Sequence, residues 1–391
     1  MKRLKSIFKT ICLFILCLLP TTSAMSQNET EAMDSVELSL LTCQPHNEIY
    51  SLYGHSALRY HDLRTKEDIV FNYGVFNYKA PHFVLRFIFG LTDYELGIAP
   101  FDGFCAYYRR WGSMIVEQKL NLTNEEKFRI KRALAINLRP ENRIYRYNFF
   151  YDNCSTRPRN IIESQIDGKI VYEPRQDYEP SFREMIHQYT KEHPWAAFGN
   201  DLLLGLKADL KTTRSEQEFL PDNLMFDFDH ARIQGADGKY RPLIKERNVV
   251  VPSGVQTAEG GFPLSPLACA LILLAVSLVI AAIEYKHKSI YWVFDVIWML
   301  AQGLAGCIIF VMLFSQHPTT STNLQILLLN PIPLFFIHAA VRKRHSSYFR
   351  LLAIMIALFL VGAFFQDYAE GMEILALCLL IRCCIHFKNE K

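Results

Sequence analysis

Polar and apolar positions are spread unevenly along this chain. Up to about Pro252 the two kinds alternate and mix, as in a water-soluble domain. From about Phe262 onward apolar residues gather in long runs. Five such runs occupy roughly 262–283, 290–314, 324–341, 350–365 and 372–385. Each approaches the length of a bilayer-spanning helix, the last ones being short. Asn330 and Pro331 interrupt the third, where a proline can kink a spanning helix.

Within the mixed region the periodicity changes from segment to segment. Residues 36–43 alternate and meet a break at 44–48. Residues 49–60 read as a strand with Gly54 in its middle, where a glycine allows a bulge or a close backbone approach. A polar turn over 62–68 leads to a second strand, 69–73, and so to a hairpin. Residues 83–91 are strongly apolar, and 114–122 read as another strand. Thr123 with Glu126 three residues later forms a capping box, which starts a helix running to about Leu138. Residues 143–150 alternate aromatic and polar positions. The polar turn 151–157 precedes a helix over 159–166, and helical pieces fill 174–221. A short hairpin over 232–252 and a linker, 253–261, close the mixed region. No repeat or low-complexity tract is visible.

Charge then orients the apolar runs. Lys286 and Lys288 lie in the first connection, and Arg342, Lys343, Arg344 and Arg350 in the third. Arg382, Lys388 and Lys391 belong to the tail. The connections 315–323 and 366–371 hold no Lys or Arg. This alternation fits the positive-inside rule for five spans, with the tail in the cytoplasm and the mixed region outside. The N-terminus agrees. Lys2, Arg3, Lys5 and Lys9 precede an apolar run over 11–19, then Pro20 and small residues, which describes a secretory signal peptide cleaved near Ala24. An uncleaved N-terminal anchor is the alternative. The expected organisation is a signal peptide over 1–26, an extracytoplasmic domain over 27–252, a linker over 253–261 and a membrane domain over 262–391. The net charge of +3 gives no pull toward nucleic acid.

Of ten cysteines, only Cys43, Cys105 and Cys154 belong to the exported domain. Three is an odd number in an oxidising compartment, so at least one thiol is left over. A Cys43–Cys105 disulfide is compatible with this. Cys154 opens a helix after a polar turn. Amides at a helix N-terminus favour thiolate and are able to hold an oxyanion. A lone cysteine is more often buried or half of a disulfide; the polar neighbours Asp152, Asn153, Ser155, Thr156 and Arg157 weigh against that here.

A thiolate nucleophile needs a base that also protonates the leaving group. His55, beside Gly54 on a strand, is the candidate, although a strand histidine is more often a satisfied core residue. A third polar group usually fixes the imidazole tautomer. Asn72 on the partner strand is the first choice, with His61 and Asp62 as rivals. Tyr53, Tyr73, Asn153, Ser155 and Arg157 are further candidates for substrate binding or the oxyanion. His317, in the polar loop 315–323, is a candidate for a substrate headgroup, a solvated turn being the favoured alternative. His82, His187, His193 and His230 are scattered without metal-ligand spacing. No phosphate loop or dinucleotide pattern is present, so neither a metal nor a cofactor is expected.

The order of His before Cys, with a Gly-His-Ser strand and an Asn-Cys helix start, resembles the circularly permuted branch of the NlpC/P60 papain-like superfamily, to which lecithin:retinol acyltransferase-type enzymes belong. The set Tyr53-Gly-His-Ser-Ala-Leu-Arg59, Phe71-Asn-Tyr-Gly-Val-Phe76, Phe150-Tyr-Asp-Asn-Cys-Ser-Thr-Arg157, Trp195 with Phe198-Gly199, Leu202-Leu-Leu-Gly205 and Phe219-Leu-Pro-Asp222 resembles the Lnb-type lipoprotein N-acyltransferases of Bacteroidota. The pattern departs at 43–46, where that family leads one to expect a Pro-Gly turn.

This resemblance implies an α+β fold, with a circularly permuted papain-like domain before an all-α bundle of five transmembrane helices. It places the protein in the inner membrane, multi-pass, with the catalytic domain in the periplasm. It implies acyl transfer from a membrane phospholipid to the amine of a diacylated apolipoprotein through a Cys154 thioester, with His55 moving protons. A cell-wall cysteine amidase or peptidase, or a phospholipase-like thiol hydrolase, is the alternative enzyme, and a non-catalytic sensor or scaffold is the third reading. Five spans speak for a lipid substrate.

Overall fold

The segment 36–43 becomes an interior strand of a seven-stranded sheet. The computed structural model describes residues 33–77, 79, 81–256, 261–342 and 347–389. The leader over 1–26 lies outside the described residues, as do part of the 253–261 linker and the charges Lys343, Arg344 and Lys391.

Strand β1, Val36–Cys43, pairs antiparallel with β2, His55–Asp62, which returns as β3, Glu67–Val75. Next come helix α1, Phe83–Ile88, strand β4, Asp93–Pro100, and helix α2, Phe101–Arg110. Strand β5, Ile115–Leu120, precedes α3, Asn124–Asn137, and Thr123 and Glu126 form the expected capping box. Strand β6, Ile144–Arg146, and helix α4, Thr156–Gln165, follow. The 174–221 region holds α5, Phe182–Thr190, α6, Pro194–Leu203, and α7, Arg214–Gln217, and helix α8, Pro221–His230, comes directly after. The large sheet runs β10-β5-β1-β2-β3-β4-β6, with β10 being Ile244–Val251. The 232–252 segment is thus only partly a hairpin. Its strands β8, Arg232–Gln234, and β9, Tyr240–Pro242, join β7, Lys169–Val171, in a small sheet, and β10 goes to the large one.

Both faces of the large sheet are covered, so β1 is buried along nearly its whole length. On one face Leu38, Leu40, Leu58 and Phe71 pack on Ile130 and Leu134 of α3, Ile162 of α4 and Phe228 of α8. On the other, Leu41, Ala57 and Val70 pack on Phe104 and Tyr108 of α2. Each fully buried side chain of this kind contributes about 1.5–3 kcal/mol. Cys43 and Cys105 sit in this second core as free thiols, so the disulfide allowed by their number is not formed. There they serve as small hydrophobes.

One strand boundary also moves. Residues Ile49–Ser51 form a 3-10 turn, and β2 begins only at His55. Gly54 has φ +73°, and a Cβ there would lie 2.7 Å from the Cys43 carbonyl oxygen. The close approach expected of this glycine is present, at the strand's entrance and not its middle.

The apolar half is helical. Helix α9 is Pro266–His287 and α10 is Trp292–Met312. The third run is broken into 3-10 turns, Leu324–Leu327 and Ile332–Phe336, before α11, Ile337–Val341. The break falls at Asn330-Pro331, and the Gln302 amide repairs it by donating to the Leu328 carbonyl at 2.6 Å. Helices α12, Tyr348–Gly362, and α13, Met372–Asn389, complete the bundle. Among the described residues three segments are long and apolar enough to cross a membrane: Pro266–His287, Trp292–Met312 and Leu324–Val341. Tyr348–Gly362 is shorter. Helix α13 carries Glu373, Arg382 and Lys388 and stands outside that class.

Arg382 is not a tail charge in space. It is buried, with Nη2 3.0 Å from Glu284 Oε1 and Nε 2.9 Å from Asp295 Oδ1, and His386 reaches Asp295 Oδ2 at 2.9 Å. Ionisable groups inside an apolar bundle persist when they satisfy one another in this way. The two connections without Lys or Arg lie against the sheet domain. Gly205 N–H donates to the Thr319 carbonyl at 2.8 Å, and the Gln366 amide to the Leu204 carbonyl at 3.1 Å. Lys286 and Lys288 stand at the far end of α9, about 33 Å from its start.

Candidate active site

The segment 148–156 is a tight loop whose geometry is set by Asn153. Its Oδ1 accepts from the Ser155 N–H (2.8 Å) and the Thr156 N–H (3.0 Å). Its Nδ2 donates to the carbonyls of Phe149 and Phe219, both at 2.8 Å. All of the amide's bonding capacity is used internally. Asn153 therefore shapes the loop, and the amides of Ser155 and Thr156 are already occupied. Cys154 stands two residues before α4. The helix-terminus argument for its reactivity thus gives way to a different one.

That argument is His55. Gly74, at φ +94°, leaves room between the two side chains: a Cβ there would lie 3.7 Å from Cys154 Cβ and 4.0 Å from His55 Cε1. His55 Nε2 is 2.6 Å from Asn72 Oδ1, so Nε2 carries the donated proton and Nδ1 is left for the thiol. Burial pushes the Cys154 pKa up. The positive charge of His55, its hydrogen bond, the Ser56 N–H and the Ser155 side chain outweigh this and bring it below the ordinary thiol value. Burial pulls His55 down, while the Cys154 thiolate and the Asn72 amide raise it above the ordinary imidazole value. Each shift favours the charged form of its group, thiolate at Cys154 and imidazolium at His55. The other thiols behave oppositely: burial drives Cys43 well up and Cys105 to about 11.

His55, Asn72, Asn153 and Cys154 open on a cavity of about 670 Å³. Among the described lining residues there is no Asp, Glu, Lys or Arg. Aromatic and aliphatic groups dominate, including Phe76, Tyr94, Tyr147, Phe149, Leu203 and Phe219. Met312, His317, Thr319 and Thr320 of the bundle supply one wall, so the cavity lies between the sheet domain and the apolar helices.

The remaining candidates fall in different places. Tyr53 lines the cavity, and its hydroxyl accepts from the Asn200 amide at 2.6 Å. Ser155 is fully buried behind Cys154, 2.9 Å from Ser56 Oγ. Tyr73 packs edge-on against Tyr145, and neither lines the cavity. Arg157 pairs bidentately with Asp152 (2.7 and 2.8 Å) and stacks over Tyr145, also outside the lining. The rivals for the third position are elsewhere too. Asp62 ends β2, accepting from Ser35 Oγ and the Arg64 N–H, and His61 Nδ1 is 3.9 Å from Glu37. His317 lines the cavity and is no solvated turn, its Nε2 lying 3.1 Å from the Phe87 carbonyl oxygen. Burial lowers its pKa, the Phe87 bond offsetting this only in part, and the neutral ring donates to that carbonyl.

Sequence reasoning missed several lining residues. His46, which stacks on Trp111 at 4.7 Å, ends the 43–46 segment that departs from the expected pattern. Asn200 and Pro221 come from helices assigned only in outline. No metal-holding cluster of His, Cys, Asp and Glu occurs among the described residues.

Residues 24–188 match the family model described as the Lnb N-terminal periplasmic domain, and residues 257–391 match the Lnb transmembrane domain. No curated protein and no solved structure matches the chain. The cavity draws on both matched regions and on residues between them, such as Asn200, Phe219 and Pro221.

Proposed function

The chain belongs to the Lnb family, a membrane protein of lipoprotein N-acyltransferase type with a periplasmic domain, and on that premise we propose that Cys154 carries an acyl chain from a phospholipid to the N-terminal amine of a diacylglyceryl-cysteine lipoprotein. The observation that carries this reading is Cys154 paired with an Asn72-held His55, facing an apolar cavity, walled in part by the bundle, without charged lining among the described residues. On this reading the sheet domain is a permuted papain-like fold in the periplasm. The bundle crosses the inner membrane five times, α12 and α13 supplying the two short passages.

In the first half-reaction Cys154 Sγ attacks the ester carbonyl carbon of the donor lipid. The carbon–oxygen bond to glycerol breaks, and the His55 imidazolium gives its proton to the departing alkoxide. The products are a lysophospholipid and an S-acyl Cys154 thioester. In the second, the lipoprotein amine attacks the thioester carbonyl, His55 takes the amine proton, and the thiolate leaves. Asn72 keeps Nε2–H in place, so that Nδ1 faces sulfur through both steps. Largely apolar walls disfavour water, which would hydrolyse the thioester.

Mass spectrometry of a reporter lipoprotein tests this. Triacylated product in cells with the natural chain, and only diacylated product with Cys154→Ala, is the expected outcome. Normal acylation by that variant sinks the cysteine mechanism, and hydrolysed muropeptides in place of acylated lipoprotein point to a cell-wall amidase.

A further inference from the structure

The charge-free cavity leaves a question of chemistry: a phospholipid carries a phosphate, and no cation lines the cavity among the described residues. A phosphate desolvated there without a partner is costly. The headgroup must therefore sit at a mouth where cations are available.

Helix α1 supplies such a mouth. Phe83 and Phe87 line the cavity, while Leu85, Phe87 and Phe89 turn outward with 55%, 44% and 39% of their surface exposed. The helix is tied to the end of the bundle: the Gln316 N–H donates to the Phe89 carbonyl at 3.0 Å, and His317 Nε2 meets the Phe87 carbonyl. Phe310, near the end of α10, and Phe314, two residues before Gln316, are exposed apolar rings at this end of the bundle. Helix α10 is long and apolar enough to cross a bilayer. An outward apolar helix joined to it fits lipid, and a large exposed apolar patch on a protein marks such a contact.

The cations stand beside it. Arg86 of α1 and Arg146 of β6 share the single carboxylate of Asp93, Arg146 Nε being 2.8 Å from Oδ1. Arg146 Nη1 also reaches Gln316 Oε1 at 3.5 Å. The next pair, Arg143 with Glu95, neutralises itself at 3.1 Å. Two guanidiniums on one carboxylate leave one positive charge in surplus, and both guanidiniums are about two-fifths exposed. Planar guanidinium forks match phosphate oxygens.

We propose that α1 lies in the outer bilayer interface as the lateral lipid entrance to the cavity, with Arg86 and Arg146 holding the phosphate of a glycerophospholipid whose acyl chain enters the cavity past Phe83 and Phe87. The step from lipid entrance to acyl donor rests on the acyltransferase reading; membrane contact and phosphate binding do not.

The test uses the full chain in phosphatidylglycerol vesicles. Leu85→benzoylphenylalanine is expected to photo-crosslink to phospholipid, while the same replacement at Leu63, exposed in the β2–β3 turn, yields no lipid adduct. No lipid adduct at position 85, or equal adducts at both, overturns the entrance. Arg86→Gln keeps the Arg146–Asp93 pair and removes the surplus charge. It should weaken phosphatidylglycerol retention in native mass spectrometry about fivefold, as one interfacial arginine does, with diacylglycerol retention unchanged. Unchanged retention of phosphatidylglycerol, or equal loss of both lipids, overturns the phosphate contact. None of these readouts needs acyl transfer. A crosslinking entrance in a chain that forms no Cys154 thioester retires the acyltransferase reading and leaves this one standing.

Discussion

Two buried regions lie side by side in this protein and handle charge in opposite ways. The cavity around Cys154 holds no Asp, Glu, Lys or Arg among its described lining residues, and its charge comes from the cysteine and histidine themselves. The seam below it, where the segment after α6 meets the bundle, is dense with charge. There Arg183 binds Asp201 at 2.8 Å and Asp209 at 2.6 Å, and His187 joins Asp201 at 2.9 Å. Around that network the side chains of Asn323 and Gln325 donate to the carbonyls of Leu202 and Asp201, both at 2.8 Å. The difference teaches a division of labour. Fixed ion pairs brace the segment 183–209, and neutral amides of the bundle, Asn323 and Gln325, bond to its carbonyls. The reactive pair is left without competing charges, in a medium where its mutual attraction counts most.

The sharpest way to break the comparison is to remove the reactive sulfur. Cys154→Ala should lower acyl transfer in reconstituted vesicles by about 10^4-fold or more, as deleting a nucleophile does elsewhere. Residual transfer within tenfold of the natural chain would place the chemistry on another residue. Next comes the seam. Arg183→Ala removes the buried guanidinium that Asp201 and Asp209 share and should destabilise the protein by roughly 3–5 kcal/mol in thermal unfolding, whereas Arg183→Met with Asp201→Asn and Asp209→Asn should recover most of that loss. A seam variant as stable as the parent would show that the ion network does not brace the segment 183–209. Smaller still is Asn72→Ala, which frees the imidazole. A drop of about 10- to 100-fold in kcat with little change in KM is expected, by analogy with the loss of other groups that orient a histidine.

A pH profile sharpens the same point. Thiolate forms as pH rises through the depressed Cys154 pKa, and the imidazolium is lost as pH rises through the elevated His55 pKa. Iodoacetamide should therefore modify Cys154 at pH values below the ordinary thiol range. In His55→Ala the onset should move to higher pH, because the stabilising positive charge is gone. An unmoved onset would mean that the histidine does not set the thiol's reactivity. The smallest effect is expected at Cys43 and Cys105, whose raised pKa values and burial should keep them unmodified until the domain unfolds.

Much of the site was legible because its signals are local. A cysteine after a polar turn, a histidine beside Gly54 and an asparagine on the returning strand of a short hairpin need only one hairpin and one helix to be read. The capping box at Thr123 is of the same kind. What could not be read depends on distant chain. Arg382 looks like a tail charge in the sequence, and only the packing of α9 and α10 on α13 brings Glu284 and Asp295 to it. The Asn153 side chain silences two helix amides through a pattern visible in retrospect, an Asn two and three residues before the N–H groups it caps. The bundle's share of the cavity wall, from Met312 to Thr320, had no local signal beyond the polarity of the loop.

The central claim is a covalent one, and intact-protein mass spectrometry tests it most directly. The full chain is incubated in vesicles with phospholipid and no lipoprotein acceptor, then digested and mapped. The account predicts a mass gain of one acyl chain on Cys154, released by neutral hydroxylamine and absent in His55→Ala. Acyl transfer to a later-added lipoprotein with no acyl adduct on Cys154 at any time would contradict it.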